Sequence, residues 1–268
     1  MRHLERQLRL DLLDRRTRGA ELTPEGAAVT EWARTVVNAM SALQTGADAL
    51  RSDHTVRIAC SQTIAEYLMP AWLARLRDHT DEPVHLSVGN TAAVFAEVRG
   101  HVADLGFVEG PTVPSDLAAR TVRTDRMLLV VAPGHRLTRR REDRPVTAEE
   151  LAALPLVTRE PGAGTRDAFE GALARAGLRP PADSVALGTN AAVKIMVAAG
   201  DRAAVLSELA VAAELHDGRL VEVPTDGIDL HRRLRAVRRK DAAPRDVVET
   251  LLAVASGRAA GMRTARRG

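Results

Sequence analysis

The sequence predicts an α/β chain in which two lobes of similar size follow a long amphipathic helix. Three observations carry this. Strand-like apolar runs alternate with helical patterns from residue 55 onward, the alternation comes in two series of about equal size, and a narrow apolar seam precedes both. Alternating strands and helices argue for mainly parallel sheets covered on both faces, and two series argue for two lobes.

The elements follow in order. Residues 2–14 place Leu4, Leu8, Leu12 and Leu13 at helical spacing. A turn around Gly19 then separates two short extended pieces, and Thr23-Pro24-Glu25 is a helix start: Thr as N-cap, Pro at the first helical position, an acid in the first turn. Val29, Ala33, Val36, Met40, Leu43, Ala47 and Leu50 recur at alternating spacings of four and three, an a/d heptad seam. A helix over 24–51 would be about 42 Å long at about 1.5 Å per residue. Either it packs on its own chain or it pairs with another copy; the narrow seam and polar flanks favour pairing through Val29, Val36, Met40, Leu43 and Leu50.

A polar link, Ser52-Asp53-His54, opens the first series. Strands are expected over 55–60, 84–89, 103–108 and 126–132, with helices over 61–79 and 91–100 between them. In the second series, strands are expected over 156–158, 184–187, 203–206 and 220–223, and helices over 165–176, 191–199 and 208–215. A long strand over 232–238 and a helix over 245–255 close the pattern. The stretch after Gly257 has four arginines and no acid and reads as a disordered basic tail over 257–268.

Composition bounds the function. Hydrophobic residues make up 45% and charged residues 27%, the balance of a globular protein. Aromatics are only 2%, so Leu, Val and Ala must fill the core and stacking on a flat ligand is disfavoured. No run approaches the roughly 20 apolar residues of a membrane span, and the first residues lack the apolar stretch of a signal peptide. Cys60 is the only cysteine. Together these predict a cytoplasmic protein without a membrane partner. The net charge of +3 is unevenly placed: residues 2–18 hold six arginines against three acids.

Four strand-to-helix junctions carry the chemistry: 60–63, 89–91, 160–166 and 188–190. Each sets Ser, Thr, Asn or Gly at a first helical turn, at the carboxyl end of a strand, where open α/β sheets bind ligands. Free amides and the helix dipole favour an anion there, and Ser61, Thr63, Thr91 and Thr165 add hydroxyls. One such junction alone is as well explained by capping; the set points to a cleft shared by two lobes and to a small anionic effector. Glu109 and Glu160 lie nearby and would repel an anion unless paired, with Arg159 or Arg166 as partners. Gly162-Ala-Gly164 is neither a dinucleotide fingerprint nor a phosphate-binding loop ending in Lys-Ser/Thr. No His/Cys cluster has metal-ligand spacing, and no nucleophile elbow surrounds Ser61. Cys60 reads as a buried strand residue or, less simply, as a redox sensor. No catalytic set, metal or cofactor is expected.

The chain resembles the LysR-type transcriptional regulators. The resemblance rests on Arg2-His-Leu-Glu5-Arg-Gln-Leu8 through Arg15, on Leu22-Thr-Pro-Glu-Gly26, and on the seam helix. It continues in Asp104-Leu-Gly-Phe107-Val-Glu109, Val130-Val-Ala-Pro-Gly-His135-Arg-Leu137, Arg159-Glu-Pro-Gly162-Ala-Gly-Thr165-Arg166 and Ala203-Ala-Val-Leu-Ser207. It implies a remnant of a winged helix-turn-helix over 1–22, a linker and dimerisation helix over 23–52, and a two-lobed periplasmic-binding-protein-like effector domain over 55–256. Lobe I would comprise 55–132 and 231–256, and lobe II 133–230, hinged near Ala132-Pro133 and Arg232–Arg238. Effector contacts would come from Ser61, Thr63, Thr91, Phe107, Thr158, Gly162 and Thr165. Arg2, Arg16, Arg18 and Thr23 would touch phosphates or the minor groove. Met1 falls where the family is already inside its recognition helix, so this chain is expected to bind promoter DNA weakly, as a homodimer or homotetramer. The competing readings are a solute-binding protein, which would carry a signal peptide and no seam, and an effector-binding module that does not bind DNA.

Overall fold

The computed structural model describes residues 2–14, 21–26, 28–30, 32, 33, 36, 40, 55–139, 144–243 and 245–258. The chain divides into two compact units, Met1–Asp53 and His54–Gly268.

In the first unit, α1 (Arg2–Leu8) leads into the antiparallel pair β1 (Leu13–Asp14) and β2 (Glu21–Leu22). α1 stops where Arg9 adopts φ 55°, and the chain folds back so that the Leu12 amide meets the Glu5 carboxylate at 3.1 Å. Helical backbone follows at 24–26, 28–30, 32, 33, 36 and 40. Its start is the predicted one: the Thr23 hydroxyl accepts the Gly26 amide at 2.9 Å. That hydroxyl also donates to the Asp11 carbonyl at 2.6 Å. Thr23, also expected at DNA, thus caps the helix with its hydroxyl proton committed to Asp11. Of the seam, Val29 is half-buried, while Val36 and Met40 are 66% and 55% exposed. Leu43 and Leu50 lie outside the described residues, as do Arg16, Arg18 and the tail from 259 on. Arg2 lies in α1.

The second unit holds two sheets joined by one long strand. In lobe I, β3 (Val56–Ser61), β4 (Val84–Gly89) and β5 (Leu105–Val108) run parallel in the order β4-β3-β5. β13 (His231–Arg239) then pairs antiparallel with β5 and with the first part of β6 (Leu117–Val131). Residues 127–131 of β6 leave that sheet and pair antiparallel with β10 (Ala204–Ser207) and β11 (Val221–Val223) of lobe II. There β8 (Leu156–Arg159) and β9 (Ser184–Leu187) run parallel, and Leu156 bridges to Ala203. The short strands β7 (Val146–Thr147) and β12 (Thr225–Asp226) also pair in parallel. The outward crossover thus lies at Arg126–Met127, not near Ala132-Pro133, and the return lies at Leu230–Arg232, where Met127 takes the Leu230 carbonyl.

Helices cover both faces of each sheet, as alternation requires. In lobe I, α2 (Gln62–Tyr67), α3 (Met69–Arg77) and α9 (Asp246–Ala255) pack on one face around Ile64, Trp72, Phe107, Leu234 and Leu251. On the other, α4 (Thr91–Arg99) packs Val94 and Val98 against Ala59 and Val237. In lobe II, α5 (Ala148–Ala152) and α6 (Gly164–Arg175) pack Leu151, Phe169 and Leu173 on one face. α7 (Asn190–Ala199) and α8 (Glu208–His216) pack Val193, Val197 and Val211 on the other. Pro70 explains why the helix expected over 61–79 is two: it has no amide proton for the turn before it, and the break falls at Leu68. Among the described residues, no helix is long and apolar enough to cross a membrane.

Candidate functional site

The carboxyl ends of β3 and β5, the start of α6 and the two crossover strands meet at Glu109, which is 2% exposed. It directly follows β5, whose four residues are all buried, so the sheet carries this carboxylate inward. One of its oxygens accepts the Thr63 amide at 3.0 Å. The other takes the Thr165 hydroxyl at 3.2 Å and pairs with the Arg232 guanidinium at 2.7 Å. Arg232 also donates to the Thr165 hydroxyl at 2.9 Å and to Asp125 at 2.7 Å. The second Asp125 oxygen accepts the Ser207 hydroxyl at 3.0 Å. Arg232 and Asp125 face each other as paired residues of β13 and β6, at the crossover. Thr165 and Ser207 belong to lobe II, Thr63 and Glu109 to lobe I.

Burial alone would push the Glu109 carboxyl up, because the charged form loses water. The Arg232 charge and the nearby hydroxyls of Ser61, Thr63 and Thr165 outweigh this and hold it below the usual carboxylate range. The cluster therefore carries two carboxylates against one guanidinium. It also carries unmet donors: the buried hydroxyls of Ser61 and Thr63 make no hydrogen bond of regular geometry, and neither does the second terminal nitrogen of Arg232. Each unmet buried donor costs about 1–3 kcal/mol, so the cluster is under-satisfied on its donor side.

Close approach brings the lobes together here. A Cβ on Gly164 would lie 2.5 Å from the Thr91 hydroxyl, 2.8 Å from the Gly110 nitrogen and 2.9 Å from Glu109 Cβ, so only glycine fits. Gly162 adopts φ 83°, and its carbonyl accepts the Ala92 amide at 3.2 Å. At the rim the Asn190 amide meets Gln62 at 3.0 Å, and the Asn190 side chain bonds Arg159 at 2.9 Å and Glu66 at 3.3 Å. Lys194 of lobe II approaches Tyr67 of lobe I at 3.4 Å.

The four junctions prove unequal. Asn90 and Thr189 cap their helices with their own side chains, whereas neither Ser61 nor Ala163 makes a side-chain cap bond. The uncapped pair are the two whose next residues meet at Glu109. Thr91 is not a cap: its hydroxyl accepts the Glu109 amide at 3.4 Å. Ser61, Thr63, Thr91, Gly162 and Thr165 are thus brought together. Thr158 ends up near the carboxyl end of β8, its buried hydroxyl unpartnered. Phe107 is corrected: it lies on the same side of β5 as Glu109 but two residues deeper, fully buried in the lobe I core with its ring tilted against Trp72 at 5.2 Å. Glu109 pairs with Arg232 rather than Arg159 or Arg166, which bond Glu160 and Glu170. Arg232 and Asp125 were missed, since one is hidden in an arginine-rich strand and the other in a stretch too polar to read as a strand. Burial, with Glu109 and Glu97 adding to it, pushes the Cys60 thiol well up, which keeps it protonated. Among the described residues, no group of His, Cys, Asp and Glu could hold a metal ion.

Residues 51–260 match the family model of the LysR substrate binding domain. An uncharacterized HTH-type transcriptional regulator of Mycobacterium tuberculosis is 39% identical over 245 residues, covering 87% of this chain and 78% of the relative. The HTH-type regulator CysL of Bacillus subtilis is 29% identical over 87% of this chain and 78% of its own length. The regulatory domain of Synechocystis CcmR superposes with a TM-score of 0.66 at 21% identity, covering 76% of this chain and 96% of that domain. The cofactor-binding domain of the Cbl regulator does so with a TM-score of 0.65 at 23% identity, covering 76% and 88%. Fold, family match and relatives agree: the chain belongs to the LysR-type transcriptional regulators and is a regulator with a two-lobed effector-binding domain, not an enzyme.

Proposed function

We propose that the chain is a DNA-binding transcriptional regulator whose state is set by a small anionic effector held between its two lobes. The supporting observation is the set of buried, unmet donors on Ser61, Thr63 and Arg232, at the point where both lobes and both crossover strands converge. Those donors suit a compact acceptor-rich ligand, and the scarcity of aromatics disfavours a large flat one. Thr91, Gly162 and Thr165 complete the walls, and Thr158 lies on the lobe II side.

The effector acts by differential affinity. It favours the lobe arrangement that brings Thr63 and Thr165 together, and the equilibrium shifts by that difference and no more. The arginine-rich residues 2–18 contact promoter DNA phosphates, and the seam residues Val29, Val36, Met40, Leu43 and Leu50 pair two copies. A thermal-shift screen of small carboxylates, sulfate, sulfite and phosphates tests the effector class. A ligand at about 100 times its Kd stabilises the fold by about 2.7 kcal/mol. Stabilisation by cationic or neutral aromatic compounds alone would overturn the anion reading.

A further inference from the structure

The acceptor that the convergent donors call for is already present, and it belongs to the protein. The Glu109 carboxylate sits where the Thr63 amide, the Thr165 hydroxyl and Arg232 converge. An incoming anion finds those donors taken and meets a buried cluster that is already one charge negative. Yet the Ser61 and Thr63 hydroxyls only lie near Glu109 without a hydrogen bond of regular geometry, and one Arg232 nitrogen has no partner, although Ser61, Thr63 and Arg232 are each at least nine-tenths buried. A carboxylate has two oxygens and three bonds satisfy it here; a ligand with more acceptor oxygens would serve all of these donors at once.

We propose that the effector's oxyanion and the Glu109 carboxylate compete for this one seat, and that Glu109 takes up a proton from solvent when it yields. The inference rests on the effector reading above and adds a proton to it. The charged and titratable groups around Glu109 are Arg232 of β13, Asp125 of β6 acting through Arg232, and Cys60 of β3; α6 and α4 present the Thr165 and Thr91 hydroxyls. Asp125 keeps its own bonds to Arg232 and Ser207 in the exchange. Once an anion holds Arg232, the attraction that kept Glu109 ionised is gone and its burial remains. Burial without a partner favours the neutral acid. One proton enters per anion bound, so affinity rises as pH falls.

Sulfate is the probe, because its own charge does not change across the neutral range. Calorimetry of sulfate binding to the wild-type full chain, in two amine buffers of different ionisation enthalpy, counts the protons directly. The expected result is uptake of one proton per sulfate, with affinity tightening by up to about tenfold per pH unit between about pH 8 and about pH 6. Glu109→Gln, checked for folding by its melting curve, is expected to bind sulfate more tightly than wild type at about pH 8, with no pH dependence. Wild-type binding without proton uptake overturns the inference and leaves the anionic effector standing, as does a folded Glu109→Gln that binds no tighter. Failure of both proteins to bind sulfate, with no stabilisation by any anion of the thermal-shift screen, overturns the inference and the anionic effector together. The proton count on wild type decides the matter even where the variant does not fold.

Discussion

A buried ion cluster makes opposite predictions for removing its two kinds of member. Arg232→Leu leaves Glu109 and Asp125 buried against each other without a counter-charge. Breaking a buried pair from one side costs about 3–5 kcal/mol, and urea unfolding should show a loss of that size. Glu109→Gln leaves Arg232 with Asp125 and removes the excess charge, so its cost should be much smaller. The pH dependence follows from the sign of the Glu109 shift. Its folded value lies below the unfolded value of about 4.3. Its contribution is therefore present above about 4.3 and is lost as pH falls through the lower folded value. Unfolding curves at acid pH should show that part of the slope in wild type and not in Glu109→Gln; equal slopes would mean that Glu109 is not held ionised. At this scale the sequence was legible where residue type and position coincide: Ser61, Thr63, Thr91 and Thr165 stand at strand ends and do converge. It was not legible where partners come from distant strands. Nothing near Glu109 in sequence points to Arg232, because register alone brings β13 beside β6.

Among the elements, apolar alternation marked most strands and helices to within a residue or two, β4 and β9 included. It missed the first half of β6, where Arg120, Arg123 and Asp125 make a strand read as a loop, and so put the crossover too late. It merged α2 and α3 by reading through Pro70. The start of α6 is the element on which closure depends. Gly164→Ala places a methyl group against the Gly110 backbone and Thr91, and overpacking of this kind costs about 1–3 kcal/mol. The outcome predicted is a lower melting temperature, together with a larger radius of gyration by small-angle X-ray scattering if the strain is relieved by parting the lobes. An unchanged melting temperature would show that α6 does not press on lobe I.

For the molecule as a whole, family and two-lobed architecture were readable because strand–helix alternation and the motifs at strand ends both stand in this one sequence. The seam is a separate matter, since a heptad pattern names a partner that one chain cannot show. Val36 and Met40 are mostly exposed on a single copy. Aspartates at Val36 and Leu43 would place unpaired charge in the paired seam, at a cost of several kcal/mol. Light scattering should then report weaker association, and a double variant of unchanged mass would remove the seam from the account.

Regulation as proposed requires one ligand to be held by both lobes at once. Hydrogen exchange on the full chain, with and without the oxyanion giving the largest thermal shift, tests it most directly. Added protection is expected at the backbone amides of residues 62–64 in lobe I and of residues 165–167 in lobe II, at the same anion concentration. Protection confined to one lobe, or absent from both segments, would contradict it.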